Sequence, residues 1–393
     1  MTSLREHWTL HPEVVFLNHG SFGACPRVVL DVQAELRARL EREPVRFMAR
    51  ELHERLDEVR AALGAFLGAA PEDLAFLPNA TTGVNSVLRS MDLAPGDEVL
   101  FTNHGYNACN NTVRYVCERA GAHPVAVELP FPLRTAEQAV EAVLAGVTDR
   151  TRVALIDHVT SATALVLPVE RIVAELRERG VETLIDGAHA PGMVALDLDA
   201  LGAGYYAGNP HKWMCAPKGA AFLHVRRDLQ PSVRPAVISH GANEPERGRS
   251  RYLMEFDWLG TGDPTAVLSI PAAMGFLGSL LPGGWDELRG RNRALAREGR
   301  ALLLDALGAE PAAPEDMLGS MAAVTLPAGE SDEQPSAFAV DPLQAALYDE
   351  ERIEVPISAW PTHRSRLLRI SAQAYNEPDD YRRLASALAE RLA

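Results

Sequence analysis

From Pro26 onward, apolar residues recur at Val28, Val32, Leu36 and Leu40, a four-residue spacing that lines one face of a helix. Pro44 interrupts this stripe. Met48, Leu52, Leu56, Val59 and Leu63 resume it as far as Gly68, so a second amphipathic helix is expected there. After that the period changes. Short continuous apolar runs at 74–77, 98–101, 124–127, 153–156, 183–185 and 220–225 alternate with helix-length stretches at 106–120, 136–146 and 169–179. That alternation predicts buried parallel strands joined by crossover helices on both faces of a sheet, an α/β architecture. Such sheets bind ligands at the carboxyl ends of their strands. Beyond Pro264, helices are expected at 265–280 and 285–307, followed by strand, helix, strand, strand and helix at 321–325, 343–351, 353–357, 367–371 and 378–392. This order suits a smaller α+β domain. The predicted division is an N-terminal segment 1–25, a large domain 26–264 and a small domain 265–393, with a surface loop at 327–335.

A chain of 393 residues, 47% hydrophobic and 23% charged, has the composition of a globular protein with about two domains. Its formal net charge of -15 disfavours polyanionic partners, so neither nucleic acid nor an anionic membrane surface is expected. No apolar run has the length of a membrane span or a signal peptide, and the expected location is cytoplasmic. The four cysteines, Cys25, Cys109, Cys117 and Cys215, form no CxxC pair. They are expected to be reduced structural thiols, and no metal site is read from the sequence.

The basic residues carry more information. Of 38, only Lys212 and Lys218 are lysine. A chain that avoids lysine elsewhere and places both in one short window has a use for an amine there. Arginine stays protonated at neutral pH, whereas a partly buried lysine can lose its proton and attack a carbonyl. Lys212 sits in GNPHKWMCAPKG, where Pro210, Pro217 and Gly219 impose a loop. Asp186 ends the apolar run Leu184-Ile185, and a carboxylate there needs a cation or a cap. His189 follows three residues later. Asn79-Ala80-Thr81-Thr82-Gly83 stands between a strand and a helix, where free N–H groups favour an anion, although Thr81 or Thr82 acting as a simple helix cap explains it equally well. An amine, a carboxylate for a ring nitrogen and an anion cradle together suit pyridoxal phosphate (PLP). The alternative, a dinucleotide loop in Gly202–Gly208, lacks a leading apolar strand, and Pro210 follows where its helix should begin.

The segments NHGSFG, NATTGVNSVL, HGYNAC, DHVTSATALVLPV, DGAHAPG, GNPHKWMCAPKGAAFLHV and LGTGDPTA together resemble the class V aminotransferases, and among these the isopenicillin N epimerase branch. The resemblance runs from about Phe16 to the C-terminus. It implies a fold-type-I PLP-dependent transferase fold, a mostly parallel central sheet with helices on both faces plus a smaller α+β C-terminal domain. It also implies Lys212 as the Schiff-base lysine and proton shuttle, Asp186 on the ring nitrogen and His189 on the ring hydroxyl. Thr81, Asn209 and His211, with Thr82 assisting, would hold the phosphate. Ser161 would contact the ring hydroxyl. Thr261 would reach the phosphate of the neighbouring subunit, implying a homodimer. Cysteine desulfurases of the family stack a histidine on the ring, but the aligned position is Gly105, so Tyr106, with His104 as the alternative, takes that role. Arg369 aligns with the arginine that grips the substrate carboxylate. Residues 216 to 393 contain no cysteine, so the persulfide nucleophile of the desulfurases has no counterpart unless Cys25, Cys109 or Cys215 substitutes.

The expected chemistry starts with loss of a Cα proton to Lys212. Return of a proton to the opposite face, from Tyr106, His19 or water, gives an epimerase acting on a small-molecule amino acid. Loss of a sulfur substituent from Cβ gives a lyase, and proton return to the cofactor gives an aminotransferase. A PLP carrier or sensor is the non-enzymatic alternative. The Arg42–Arg50 segment and the His19-Gly20-Ser21 turn are expected to contact substrate.

Overall fold

The computed structural model describes residues 4–245, 248–329, 336 and 339–392. Most of the expected loop at 327–335 lies outside them. The strands are β1 (Val15–Phe16), β2 (Leu74–Leu77), β3 (Glu98–Thr102), β4 (His123–Val127), β5 (Thr151–Asp157), β6 (Glu182–Gly187), β7 (Tyr205–Gly208), β8 (Ala221–Val225), β9 (Met321–Leu326), β10 (Ile353–Glu354), β11 (Ile357–Ala359) and β12 (Arg366–Ser371). Strands β2 to β8 form a seven-stranded sheet in the order β2-β8-β7-β6-β5-β3-β4. All neighbours pair in parallel except β8, which runs antiparallel to β7 and β2.

Alternation along these strands divides the core in two. Val153 and Leu155 belong to one cluster with Val84, Val87, Val113 and Phe256. Ala154 and Ile156 belong to the other with Leu56, Val140, Ile172 and Leu176. The first face is covered by α3 (Ala80–Ser90), α4 (Asn107–Ala120) and α8 (Arg251–Asp257). The second is covered by α2 (Leu52–Leu67), α5 (Ala136–Ala145) and α6 (Val169–Glu178). The central sheet is thus buried on both faces, which explains why its strands read as continuous apolar runs.

Two expectations shift in detail. In α1 (Arg27–Arg42) the buried positions are Val29 and Gln33, while Val28 is exposed and Val32, Leu36 and Leu40 are half-buried. The helix exists, but its apolar stripe is left partly open. The run at 353–357 splits around Val355-Pro356: Ile353–Glu354 pairs in parallel with β1, and Ile357–Ala359 pairs with β12. The N-terminal segment is therefore tied to the C-terminal region. Ala266, Val267, Ile270 and Ala273, which follow the boundary expected at 264, pack in the large-domain core. The helices Gly284–Leu307 and Pro378–Leu392 pack on the antiparallel sheet β11-β12-β9 around Leu295, Leu303, Tyr381 and Leu388. Among the described residues no single helix is long and apolar enough to cross a membrane.

One buried ion pair joins α2 to α8. Arg60 is 1% exposed; its Nη2 meets Asp257 Oδ1, and its Nε donates to Leu74 O at 2.9 Å. Burying both charges is costly, so removing one partner costs more than the pair itself contributes. Arg60→Met should lower stability by roughly 3 kcal/mol, measured by urea unfolding. A loss below about 1 kcal/mol, the size of a surface pair, would contradict this account.

Candidate active site

The lysine loop leaves β7 at Gly208 and is fixed by its own backbone. Lys212 N donates to Asn209 O at 3.0 Å, Cys215 N to Lys212 O at 2.9 Å, and Ala216 N to Pro210 O at 3.1 Å. Two glycines let other chain segments press against it. A Cβ on Gly23 (φ +71°) would lie 2.2 Å from His211 O, and one on Gly192 (φ +88°) 2.6 Å from the Trp213 carbonyl. His19 supports the loop from behind, with Nε2 3.0 Å from Lys212 O and Nδ1 2.8 Å from the Tyr375 hydroxyl. Its ring is 0% exposed. Both nitrogens of this ring, expected to contact substrate, have protein partners here.

Lys212 Nζ lies 3.1 Å from His189 Nε2, and Trp213 Nε1 donates to His189 Nδ1 at 3.3 Å. The indole can only donate, so Nδ1 is the acceptor and the neutral ring carries its proton on Nε2. That proton points at the lysine, which accepts it only as a neutral amine. Burial, and then the charge of Arg369, hold the Lys212 amine down at about 8, while Asp186 pulls the other way. Burial also holds His189 well below its ordinary value.

Asp186 and Asp157 end the neighbouring parallel strands β6 and β5 in register. Asp186 Oδ1 accepts the Ala188 N–H at 3.0 Å, and Oδ2 accepts the Cys109 thiol at 3.1 Å. Asp157 accepts the Tyr106 N–H at 3.3 Å. Burial first, and the charge of Asp186 second, push the Asp157 carboxyl well above the usual carboxylate range. Sequence reasoning missed Cys109, Asp157 and the part Trp213 plays. The repeated Leu-Ile-Asp at 155–157 and 184–186 was an available signal for Asp157. Cys109 lies three residues after Tyr106, on the same helical face.

The start of α3 forms a cradle. Asn79 caps it, accepting the Thr82 N–H at 2.8 Å and the Thr82 hydroxyl at 3.0 Å. Asn209 Oδ1 accepts the Ala80 N–H at 2.8 Å, joining the end of β7 to this helix. Thr82 is thus bound to the cap. Thr81 lies beside Cys109 and opposes the rise of its thiol. His211 Nδ1 lies 2.8 Å from Ala220 O, and burial holds the ring down at about 4.

Arg369, on β12, is 6% exposed. Its Nη1 donates to Ser161 O at 2.7 Å and Ser161 Oγ at 3.3 Å, and its Nη2 to Ser21 Oγ at 3.1 Å and Asn18 Oδ1 at 3.4 Å. Its Nε is buried with no partner. Among the described residues no carboxylate pairs with it, and burial lowers it to about 10. Ser161 therefore faces the guanidinium, and the N-terminal turn reaches it through Asn18 and Ser21.

Tyr106 precedes α4 and is 46% exposed. Burial raises its phenol, Asp186 adds to this, and Arg369 opposes it. His104 is buried against Trp360, with ring centroids 4.4 Å apart, and its Nδ1 lies 2.8 Å from Thr163 Oγ1. Thr261 is exposed and is not brought together with the lysine site. Arg42, Arg46, Glu43 and Glu51 line a separate cavity of about 490 Å³, none of whose lining residues belongs to the lysine site. All four cysteines are buried, and burial raises Cys25 to about 12, Cys117 to about 11, and Cys109 and Cys215 well above their ordinary value.

A buried amine of lowered proton affinity, a strand-end carboxylate and a capped helix start define a site for a carbonyl cofactor that carries an anion. Residues 14–381 match the aminotransferase class-V model, and the chain belongs to that family. It is 38% identical to isopenicillin N epimerase of Amycolatopsis lactamdurans, over 98% of this chain and 97% of that one. It is 32% identical to a probable chloroplastic L-cysteine desulfhydrase of Arabidopsis thaliana, over 96% and 82% respectively. A C-DES variant with glycine covalently linked to its PLP cofactor superposes with a TM-score of 0.82 at 21% identity, covering 98% of this chain and 99% of that one. The Escherichia coli cysteine desulfurase CsdA gives 0.78 at 20%, covering 99% and 98%. The fold is that of the fold-type-I PLP enzymes, and the family binds PLP. The donor set here fits that cofactor: a buried amine lowered to about 8, the Asp186 carboxylate and the helix start bridged by Asn209.

The amine's ordinary value is 10.5 and its folded value about 8, so between these the unfolded chain binds more protons than the folded one. The folding penalty is then constant below pH 8 and fades as pH rises to 10.5. Cofactor-free protein should gain stability relative to Lys212→Met across this window in urea titrations, and a flat difference would contradict it.

Proposed function

We propose that this chain is a PLP-dependent enzyme that removes and returns a proton at the α carbon of an amino-acid moiety, as an epimerase. The observation that carries the substrate class is Arg369. A buried guanidinium with an unpartnered Nε and no carboxylate beside it is costly unless a ligand supplies the anion. A substrate carboxylate meets that need in a bidentate geometry.

The cofactor, when bound, supplies a carbonyl for the substrate amine and a protonated ring that withdraws electrons from Cα. Lys212 would carry it, Asp186 would hold the ring nitrogen, and His189 the ring hydroxyl. Thr81, Asn209 and His211 would hold the phosphate with the start of α3. Lys212, its amine lowered to about 8, takes the Cα proton. Tyr106 serves as ring-facing wall and second proton carrier. Its support is a half-exposed phenol kept protonated by burial and influenced by both Asp186 and Arg369. His104, packed against Trp360, is less suited to either role.

A second reading, β-elimination of sulfur from cysteine or a cysteine conjugate, is favoured by the desulfhydrase relatives. It needs one base only. Persulfide chemistry is not proposed, because all four thiols are buried and held protonated. The same reading includes a homodimer in which Thr261 reaches the partner's phosphate site. The exposed Thr261 and the half-open stripe of α1 support it. Sedimentation at micromolar protein tests it, and a monomer would refute it.

Proton NMR in deuterated water, with aminoadipyl peptides and cysteine conjugates as candidates, separates the two reactions. Loss of the α-proton signal with an intact skeleton and inverted chirality is expected. Pyruvate with a released thiol would overturn the first reading. Tyr106→Phe should slow inversion more than it slows α-proton exchange. Equal slowing would remove Tyr106 as second donor. Arg369→Ala should lower kcat/KM by about 10²–10³-fold, the loss of a buried charge-assisted pair.

A further inference from the structure

Away from the lysine site, Asp73, Asp199 and His224 converge at the edge of the central sheet. Their ligand atoms lie within 4.8 Å of one another. Asp73 ends the turn before β2, His224 is on β8, and Asp199 is in the short helix Leu198–Leu201. Leu74 pairs with His224 across the antiparallel β2–β8 ladder, which sets Asp73 next to the imidazole.

His224 is 3% exposed, and its Nε2 is buried without a hydrogen-bond partner. The nearest acidic oxygen, Asp199 Oδ1, is 3.6 Å away. That is too long for a hydrogen bond. It is close to the separation of about 3.4 Å between two donors on one tetrahedral ion with bonds near 2.1 Å. A buried imidazole nitrogen left bare between two carboxylates points to a ligand. Arg227 Nε and Gln230 Nε2 both donate to Asp73 Oδ1, each at 2.6 Å, and so fix that carboxylate in the way outer hydrogen bonds orient metal ligands. The guanidinium of Arg227 offsets one negative charge, and the second carboxylate, Asp199, keeps the cluster attractive to a cation. The Asp199 side chain is 57% exposed, so it can close the remaining distance and leave water on the open side.

We propose that Asp73, Asp199 and His224 bind a divalent transition-metal ion of the zinc class. One nitrogen and two oxygen donors suit such an ion better than magnesium or calcium, which take oxygen alone. The ion would join the first turn of the edge strand, β8 and the helix at Asp199, so its effect is on stability rather than on the reaction.

The test uses PLP-loaded protein stripped with a chelator and titrated with zinc chloride. The readouts are bound metal per chain by mass spectrometry and the unfolding temperature. One equivalent of zinc should bind, and saturation should raise the melting temperature by roughly 2–4 °C. Asp199→Asn changes an exposed side chain and should fold as the parent does, yet it should bind at least about tenfold more weakly, the lower end of what losing a supporting contact costs a metal site. His224→Gln should bind weakly or not at all. No bound zinc, or equal binding by the parent and Asp199→Asn, would overturn the proposal. Neither readout depends on turnover, so failure here leaves the proposed activity standing.

Discussion

Everything at this site depends on keeping a proton off one amine. Lys212 sits where water is scarce and a guanidinium adds positive charge, and both disfavour the ammonium form. The hydrogen bonds make the same selection. Trp213 can only donate, which fixes the proton of His189 on the nitrogen facing Lys212. An ammonium there would meet an N–H rather than a lone pair. The loop that carries the lysine is correspondingly rigid, with the Lys212 carbonyl 3.0 Å from His19 and two glycines admitting neighbouring backbones.

The scaffold supplies its parts from strand ends. Asp157, Asp186 and Asn209 close, or directly follow, three consecutive parallel strands, so their side chains gather at one edge of the sheet. Arg369 arrives from the other side, on an antiparallel strand of the small sheet. The N-terminal segment closes the gap. It adds β1 beside β10 and presents Asn18 and Ser21 to the guanidinium, while Ser161 does so from the large domain. Three distant stretches of chain thus orient one cation, and relative movement of the domains would alter its grip.

This division explains what was legible in the sequence. The strands of the central sheet read clearly because burial on both faces makes them continuous apolar runs between helices. Lys212 and Asp186 read clearly because each breaks a local rule: a lysine in a chain that otherwise uses arginine, and a carboxylate at the end of a buried strand. What was not legible depended on contacts across the chain. The support of His19 comes from Tyr375, more than three hundred residues later, which takes one nitrogen. Nothing local shows that the Cys109 thiol faces Asp186. The stripe of α1 lines one face of a helix as expected, but the buried positions are offset from it by one residue. Periodicity finds a helix more surely than it finds which side faces inward.

The placement of Arg369 also bears on when the base acts. Its positive charge is the second largest cause of the lowered Lys212 value, after burial. In the proposed reaction a substrate carboxylate settles on Arg369 and cancels that charge as seen from the lysine. The amine then becomes a stronger base, because the opposing influences of Asp186 and Asp157 remain while the repulsion has gone. Before substrate arrives, a value of about 8 makes the amine easier to deprotonate than an ordinary lysine. After it arrives, a higher value favours taking the Cα proton. The same electrostatics act on Tyr106, whose ionisation the charge of Arg369 favours. Neutralising Arg369 makes the phenol hold its proton more firmly. A substrate lacking the carboxylate would leave the base weak and the phenol easier to ionise, so the clamp selects substrate by setting proton affinities as well as by binding.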